Sequence, residues 1–167
     1  MTAVRAFVSG GSNLDAEANL LRAARELKRL YPGARWSSCW RNASVGFSGP
    51  DFINFVVELP VHDGLAALKA RLQAIEALCG RPPDAPRWAP RAMDLDVLLF
   101  GDQVGRIEGI ELPRPSLLEW GFMLGPLAEI APDLVHPTQG RTMAQLWAAF
   151  DQAANPLHRE ALDLAAA

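Results

Sequence analysis

Residues 52–60 (Phe-Ile-Asn-Phe-Val-Val-Glu-Leu-Pro) alternate in register. Ile53, Phe55, Val57 and Leu59 take one side and Phe52, Asn54, Val56 and Glu58 the other. A period of two predicts a β-strand with one apolar face. The period changes over Asp15–Leu30, where Leu20, Leu21, Ala24, Leu27 and Leu30 recur at helical spacing. Asp15 and Glu17 open this segment, Arg22, Arg25, Lys28 and Arg29 follow, and Pro32-Gly33 stops it. That order of charges complements a helix dipole. A second helix is predicted over 64–79, with Leu65, Leu68, Leu72, Ile75 and Leu78 as its apolar face. Asp63 is placed to cap it, and Gly80 followed by Pro82 and Pro83 to end it.

Three further strands complete the pattern. Residues 3–9 form the first, broken by Gly10-Gly11-Ser12-Asn13. Residues 35–41 form the second, followed by a polar loop over 42–51. Residues 92–100 form the fourth, ended by Gly101-Asp102. In that strand Met93, Leu95, Val97 and Leu99 share one face and Asp94 and Asp96 the other. The order βαββαβ predicts an α+β, ferredoxin-like core: an antiparallel sheet with helices on one face. Residues 103–155 read as turns with C-terminal short helices near 123–130 and 141–152. One domain is expected over 1–155, and the Ala-rich stretch 156–167 is expected to be a loosely ordered tail.

Composition narrows the class. The chain has 167 residues, half of them hydrophobic, which suits one folded core rather than disorder. A formal net charge of -3 gives no global field for nucleic acid, so any anion site must be a local group of arginines. Cys39 and Cys79 form no CxxC pair, which argues against zinc and fits a reducing cytosol. No apolar run approaches a membrane span and the first residues lack a signal core, so a cytoplasmic protein is expected.

The chemistry concentrates around Asp94-Leu95-Asp96. Two residues apart on one strand, the carboxylates point the same way with Cα atoms roughly 6.5–7 Å apart. Such a pair is either solvated or bridged by cations, and magnesium typically takes one or two carboxylates plus substrate phosphates. The preceding loop, 81–91, carries Arg81, Arg87 and Arg91, whose forks match phosphate oxygens, and Trp88, an apolar cover. Together these features predict ATP-dependent phosphoryl or pyrophosphoryl transfer, in which a protein positions and neutralises charge. Phe52 is either a core ring or a stacking surface, and in the second case Asn54 offers an amide edge to the same planar heterocycle. The glycines at 10 and 11 permit close approach to a ligand. His62, His136 and His158 each stand alone and read as structural or surface groups.

The run Arg87-Trp88-Ala89-Pro90-Arg91-Ala92-Met93-Asp94-Leu95-Asp96-Val97-Leu98-Leu99-Phe100-Gly101 closely resembles the signature of the 6-hydroxymethyl-7,8-dihydropterin pyrophosphokinase family of folate biosynthesis. Gly11-Ser12-Asn13-Leu14, Asp51-Phe52-Ile53-Asn54, Gly121–Leu127 and Glu129–Pro137 extend the likeness over nearly the whole chain. The resemblance implies a ferredoxin-like fold and transfer of the β,γ-pyrophosphoryl unit of ATP to the hydroxymethyl oxygen of a dihydropterin, releasing AMP. It implies two Mg2+ ions on Asp94 and Asp96, with Arg81 and Arg91 on the phosphates. Trp88 would close over the site. Phe52 and Phe122 would sandwich the pterin, with Asn54 on its polar edge and Gly11, Asn42, Ala43 and Val45 nearby. Gln73, Glu76, Arg87, Val97 and Arg114 would lie on the nucleotide side. Small-molecule substrates, ATP and a dihydropterin, acting on a monomer complete the expectation.

The pattern departs from the family in places. Asn42-Ala43-Ser44 replaces a usual Thr-Pro or Thr-Glu-Pro, and Pro83 stands for a usual arginine. Arg114, Ser116, Leu118 and Trp120 replace a usual His, Arg, His and Arg. These positions favour a second reading, a paralogue with a changed pterin or nucleotide. A third, a ferredoxin-like binding module without catalysis, gives no reason to keep Asp94, Asp96, Arg81 and Arg91 together.

Overall fold

The structure, a computed structural model, describes residues 2–44, 49–80 and 92–167. Val45, Arg81, Arg87, Trp88 and Arg91 therefore lie outside the described residues. The central sheet runs β5-β1-β4-β3-β8, with β2 also pairing β4. Its strands are β1 (Val4–Ser12), β2 (Arg35–Trp36), β3 (Cys39–Asn42), β4 (Phe52–Val61), β5 (Asp94–Phe100) and β8 (His158–Glu160). Every pairing in it is antiparallel. Helices α1 (Ala16–Leu30) and α2 (Leu65–Leu78) cover one face, as expected. Leu20, Leu27, Leu68, Leu72 and Ile75 pack there against Val8, Phe55, Val57, Leu59, Leu95 and Val97. The C-terminal helices α3 (Gly121–Ile130) and α4 (Met143–Ala149) cover part of the opposite face. Their Met123, Leu124, Leu127, Met143 and Leu146 bury Phe7, Val56, Leu98 and Leu99. Among the described residues no helix is long and apolar enough to cross a membrane.

Several local expectations are corrected by tertiary packing. Gly10 and Gly11 do not break β1; they continue it, paired with Phe55 and Asn54 of β4. They are glycines because the Phe55 ring and the Asn54 side chain fill the space where a Cβ would stand. The second strand is split into β2 and β3 at Ser37, whose Oγ accepts the Val56 N–H at 2.8 Å. Asp63 does not cap α2. Gly64 holds that position, and Asp63 pairs with Arg71 at 2.6 Å. Leu78 lies at the end of α2 and is 52% exposed. The β1–β5 register shifts between Phe7 and Val8, so Leu98 is an extra residue. That bulge carries Leu99 to the α3 side, away from Leu95 and Val97.

The remainder is more ordered than its composition indicates. Strands β6 (Gly105–Ile107) and β7 (Ile110–Leu112) form a hairpin, and a 3-10 turn follows at Pro115–Leu118. Thr142 and Gln145 make a reciprocal capping box at the start of α4. Residues 156–167 are not a loose tail. β8 pairs with β3, and Leu164 is 1% exposed within the α1–α2 core. Pairing of the exposed β3 edge and burial of one leucine offset the entropy of ordering this segment.

Candidate active site

The site is a row of positions across one end of the sheet. Asp94 of β5 stands opposite Gly11 of β1, Gly11 opposite Asn54 of β4, and Asn54 opposite Trp40 of β3. Directly opposed residues share a face, so these four positions form one line with about 4.8 Å per strand. Asp94 and Asn54 are thus roughly 10 Å apart. The neighbouring register holds Asp96 opposite Ser9, and Phe52 lies opposite Asn42. Gly11 is where this line needs the least bulk: an added Cβ would fall well inside 3.0 Å of Asn54 Oδ1. Asn54, 3% exposed, donates through Nδ2 to Asn42 Oδ1. Asn13 Nδ2 donates to the Pro50 carbonyl at 3.1 Å, tying the end of β1 to the loop that carries Ala43.

A second part of the site lies around the outer edge of β5, where the Arg114 N–H donates to the Leu98 carbonyl at 2.9 Å. A cavity of about 230 Å³ opens there, lined by Lys69, Gln73 and Glu76 of α2, Asp96 and Val97 of β5, and Arg114. Arg114 Nη2 is 3.4 Å from Asp96 Oδ1, and its Nε donates to Ser116 Oγ at 3.1 Å. A cis peptide joins Leu112 to Pro113 just before it. Lys69 donates through Nζ to the Glu108 carbonyl at 2.8 Å, holding the β6–β7 hairpin against α2. Glu76 Oε2 accepts the Leu95 N–H at 2.8 Å.

The structure therefore gathers the sequence-predicted residues in two groups. Gly11, Asn42, Phe52 and Asn54 meet on one face of the sheet, and Gln73, Glu76, Val97 and Arg114 meet at the β5 edge. Asp94 and Asp96, both half-buried, stand between them. Phe122, on α3, is half-buried and stacks against Trp120 with centroids 6.0 Å apart and planes at 22°. Sequence reasoning missed Lys69 and Ile110, which line the edge cavity, because nothing in their local pattern marks them. It also missed Glu129, which accepts from Ser38 N, Ser38 Oγ and Trp40 Nε1 at 3.0, 2.7 and 3.0 Å and so ties α3 to β3. His136, read as a structural or surface group, is 2% exposed. Its Nδ1 accepts the Thr138 N–H at 3.2 Å, and burial pushes its pKa down.

An acidic pair flanked by an arginine-lined cavity on one side and an aromatic and amide surface on the other is the outline of an enzyme that moves a charged group between two small molecules. Residues 7–132 match the family described as 7,8-dihydro-6-hydroxymethylpterin-pyrophosphokinase (HPPK). The chain belongs to that family. It is 37% identical over 144 residues to a 2-amino-4-hydroxy-6-hydroxymethyldihydropteridine pyrophosphokinase of Synechocystis sp., covering 84% of this chain and 73% of that protein. A protein of the same name from Pseudomonas aeruginosa is 36% identical over 149 residues, covering 87% and 91%. Among solved structures, an HPPK-DHPS crystallised with substrates superposes with a TM-score of 0.70 at 12% identity, over 92% of this chain and 44% of that one. Wild-type Plasmodium falciparum HPPK-DHPS gives 0.64 at 12%, over 88% and 44%. The chain thus spans less than half of those HPPK-DHPS chains, and the likeness to them establishes the fold.

Proposed function

We propose that the protein transfers pyrophosphate from ATP to the hydroxymethyl group of 6-hydroxymethyl-7,8-dihydropterin, releasing AMP, in folate biosynthesis. The observation that carries this reading is the placement of Asp94 and Asp96 between the two groups of binding residues. The nucleotide lies at the β5 edge, beside Gln73, Val97 and Arg114. The pterin lies on the Asn54 face of the sheet, stacked on Phe52 with Phe122 opposing it, its polar edge on Asn54 and its surroundings completed by Gly11, Asn42, Ala43 and Val45. Arg81, Arg87 and Arg91 serve the phosphates and Trp88 covers the site; the signature run supports the roles of Arg87, Trp88 and Arg91, and the wider family likeness that of Arg81.

The donor set at the centre fits magnesium. Among the described residues no three of His, Cys, Asp and Glu gather to make a complete protein cage. Two carboxylates that leave most coordination positions to phosphate and water oxygens are what magnesium accepts. Bound there, two Mg2+ ions would neutralise the triphosphate and the charge that builds on it during transfer. The chain's residues supply alignment. Arg114 turns from Asp96 toward phosphate, and Asn54 and Phe52 fix the plane of the acceptor so that its hydroxymethyl oxygen faces the β-phosphorus. A bond forms between those two atoms, the bond from the β-phosphorus to the α,β-bridging oxygen breaks, AMP departs with that oxygen, and the hydroxyl proton passes to water. The names of the relatives give no support to a changed substrate or to a non-catalytic module.

Asp94→Ala and Asp96→Ala test the central assignment. Each is expected to lower AMP release by at least about 100-fold, since it removes charge compensation from the transferring group. Full activity in either folded variant contradicts the proposed metal ligands.

A further inference from the structure

Glu76 is at the nucleotide cavity, yet its contact points elsewhere. Among the described residues β5 is the outer strand of the sheet. In an antiparallel pair, successive residues direct their main-chain N–H alternately toward and away from the partner strand. The Leu95 N–H faces outward, and an unpaired edge N–H leaves a strand free to twist or shift. Glu76 reaches round that edge from α2 and accepts the Leu95 N–H through Oε2 at 2.8 Å. Both ends of the link are stiff. Leu72 and Ile75, on the same stretch of α2, are each 3% exposed, and the Leu95 side chain is 6% exposed in the same core.

We infer that Glu76 is a positioning residue, whose carboxylate pins the main chain between Asp94 and Asp96 and so fixes both candidate metal-holding carboxylates together. This rests on the magnesium reading above and reassigns Glu76 from nucleotide contact to alignment. A carboxylate aimed at phosphate would repel it, whereas one bonded to a main-chain N–H orients the strand. Rotation of the peptide at Leu95 displaces its two flanking side chains at once, and a magnesium site tolerates little displacement because its geometry is nearly octahedral. A misplacement near 1 Å costs on the order of 100-fold in rate.

The test compares Glu76→Gln, which keeps an acceptor oxygen, with Glu76→Ala, which has none. The expected result is kcat lowered about 10- to 100-fold in Glu76→Ala with the KM for ATP within about threefold of native, and most of kcat retained in Glu76→Gln. Amide hydrogen exchange at Leu95 is read in parallel, without substrate or metal. It should rise at least tenfold in Glu76→Ala relative to Leu99, and stay near native in Glu76→Gln. Native kcat and native Leu95 exchange in Glu76→Ala overturn the inference. So does a raised KM for ATP with unchanged kcat, which marks a nucleotide contact. Equal loss in both variants means that charge, not the acceptor, matters, and overturns it too. If native protein makes no AMP, the proposed function fails instead, while the exchange comparison still decides whether Glu76 holds β5. Should Glu76→Ala fail to fold, Glu76→Asp, one methylene too short to reach, takes its place in the same comparison.

Discussion

Gly11→Ala separates the site from the fold more cleanly than any other small change. The glycine lies in regular strand, so alanine is compatible with its backbone and even restricts the unfolded chain, by about 0.4–1 kcal/mol. The new methyl would sit well inside 3.0 Å of Asn54 Oδ1 and 3.3 Å from its Cγ. Asn54 must swing away, giving up the bond to Asn42 and the orientation offered to the pterin edge. One misdirected hydrogen bond costs about 0.5–1.5 kcal/mol and a buried amide left unpaired about 1–3. The KM for the dihydropterin should therefore rise roughly 10-fold or more, while the KM for ATP, proposed to bind at the β5 edge two strands from Asn54, should hold. Gly10→Ala is the control. Its methyl would strike the Phe55 ring and come within 3.1 Å of the Leu95 side chain, in the core rather than the site. It should destabilise by about 1–3 kcal/mol, a fall in Tm of several degrees, with less effect on the pterin KM of the folded fraction. Steady-state kinetics with each substrate varied, alongside thermal unfolding, distinguishes the two. A native pterin KM in Gly11→Ala would refute the placement of the acceptor against Asn54.

Other consequences follow from the same packing. Leu164→Ala should destabilise by about 2–5 kcal/mol, because Leu164 is 1% exposed in the main core, and an unchanged Tm would show that the C-terminal segment is not docked. His136 makes stability depend on pH: its folded pKa lies below its unfolded value of about 6.5, so the unfolded chain takes up the proton first. Stability is full above about pH 6.5 and falls as pH drops below it toward the folded pKa. Tm measured from pH 7.5 to 5.5 should decline in the native chain and less so in His136→Asn, and equal slopes would exclude His136 as the source.

The parts visible in the sequence are those set by local periodicity. The alternation in 52–60 and the leucine spacing of α1 and α2 are local patterns, and the elements they predict appear in the structure with ends shifted by a residue or two. What stayed hidden depends on residues distant in the chain. Gly10 and Gly11 resemble a turn until Phe55 and Asn54 occupy their Cβ space. Leu99 changes sides because a bulge at Leu98 interrupts the alternation. The C-terminal stretch resembles a tail until β3 offers it an edge. In the site, Asp94 and Asp96 were legible because spacing alone puts them on one face. The bond from Glu76 to the main chain between them was not, since a helix position cannot show which strand edge it will meet. Arg114 was legible only by its place at a family position that usually holds His, and its contact with Asp96 depends on packing between segments distant in the chain.

The most direct measurement is product analysis after mixing the native protein with Mg-ATP and 6-hydroxymethyl-7,8-dihydropterin. The expected products are AMP and a pyrophosphorylated pterin in equal amounts, with neither formed when the pterin or the metal is left out. Folded protein that yields ADP instead, or AMP without the pterin, or no product at all, would contradict it.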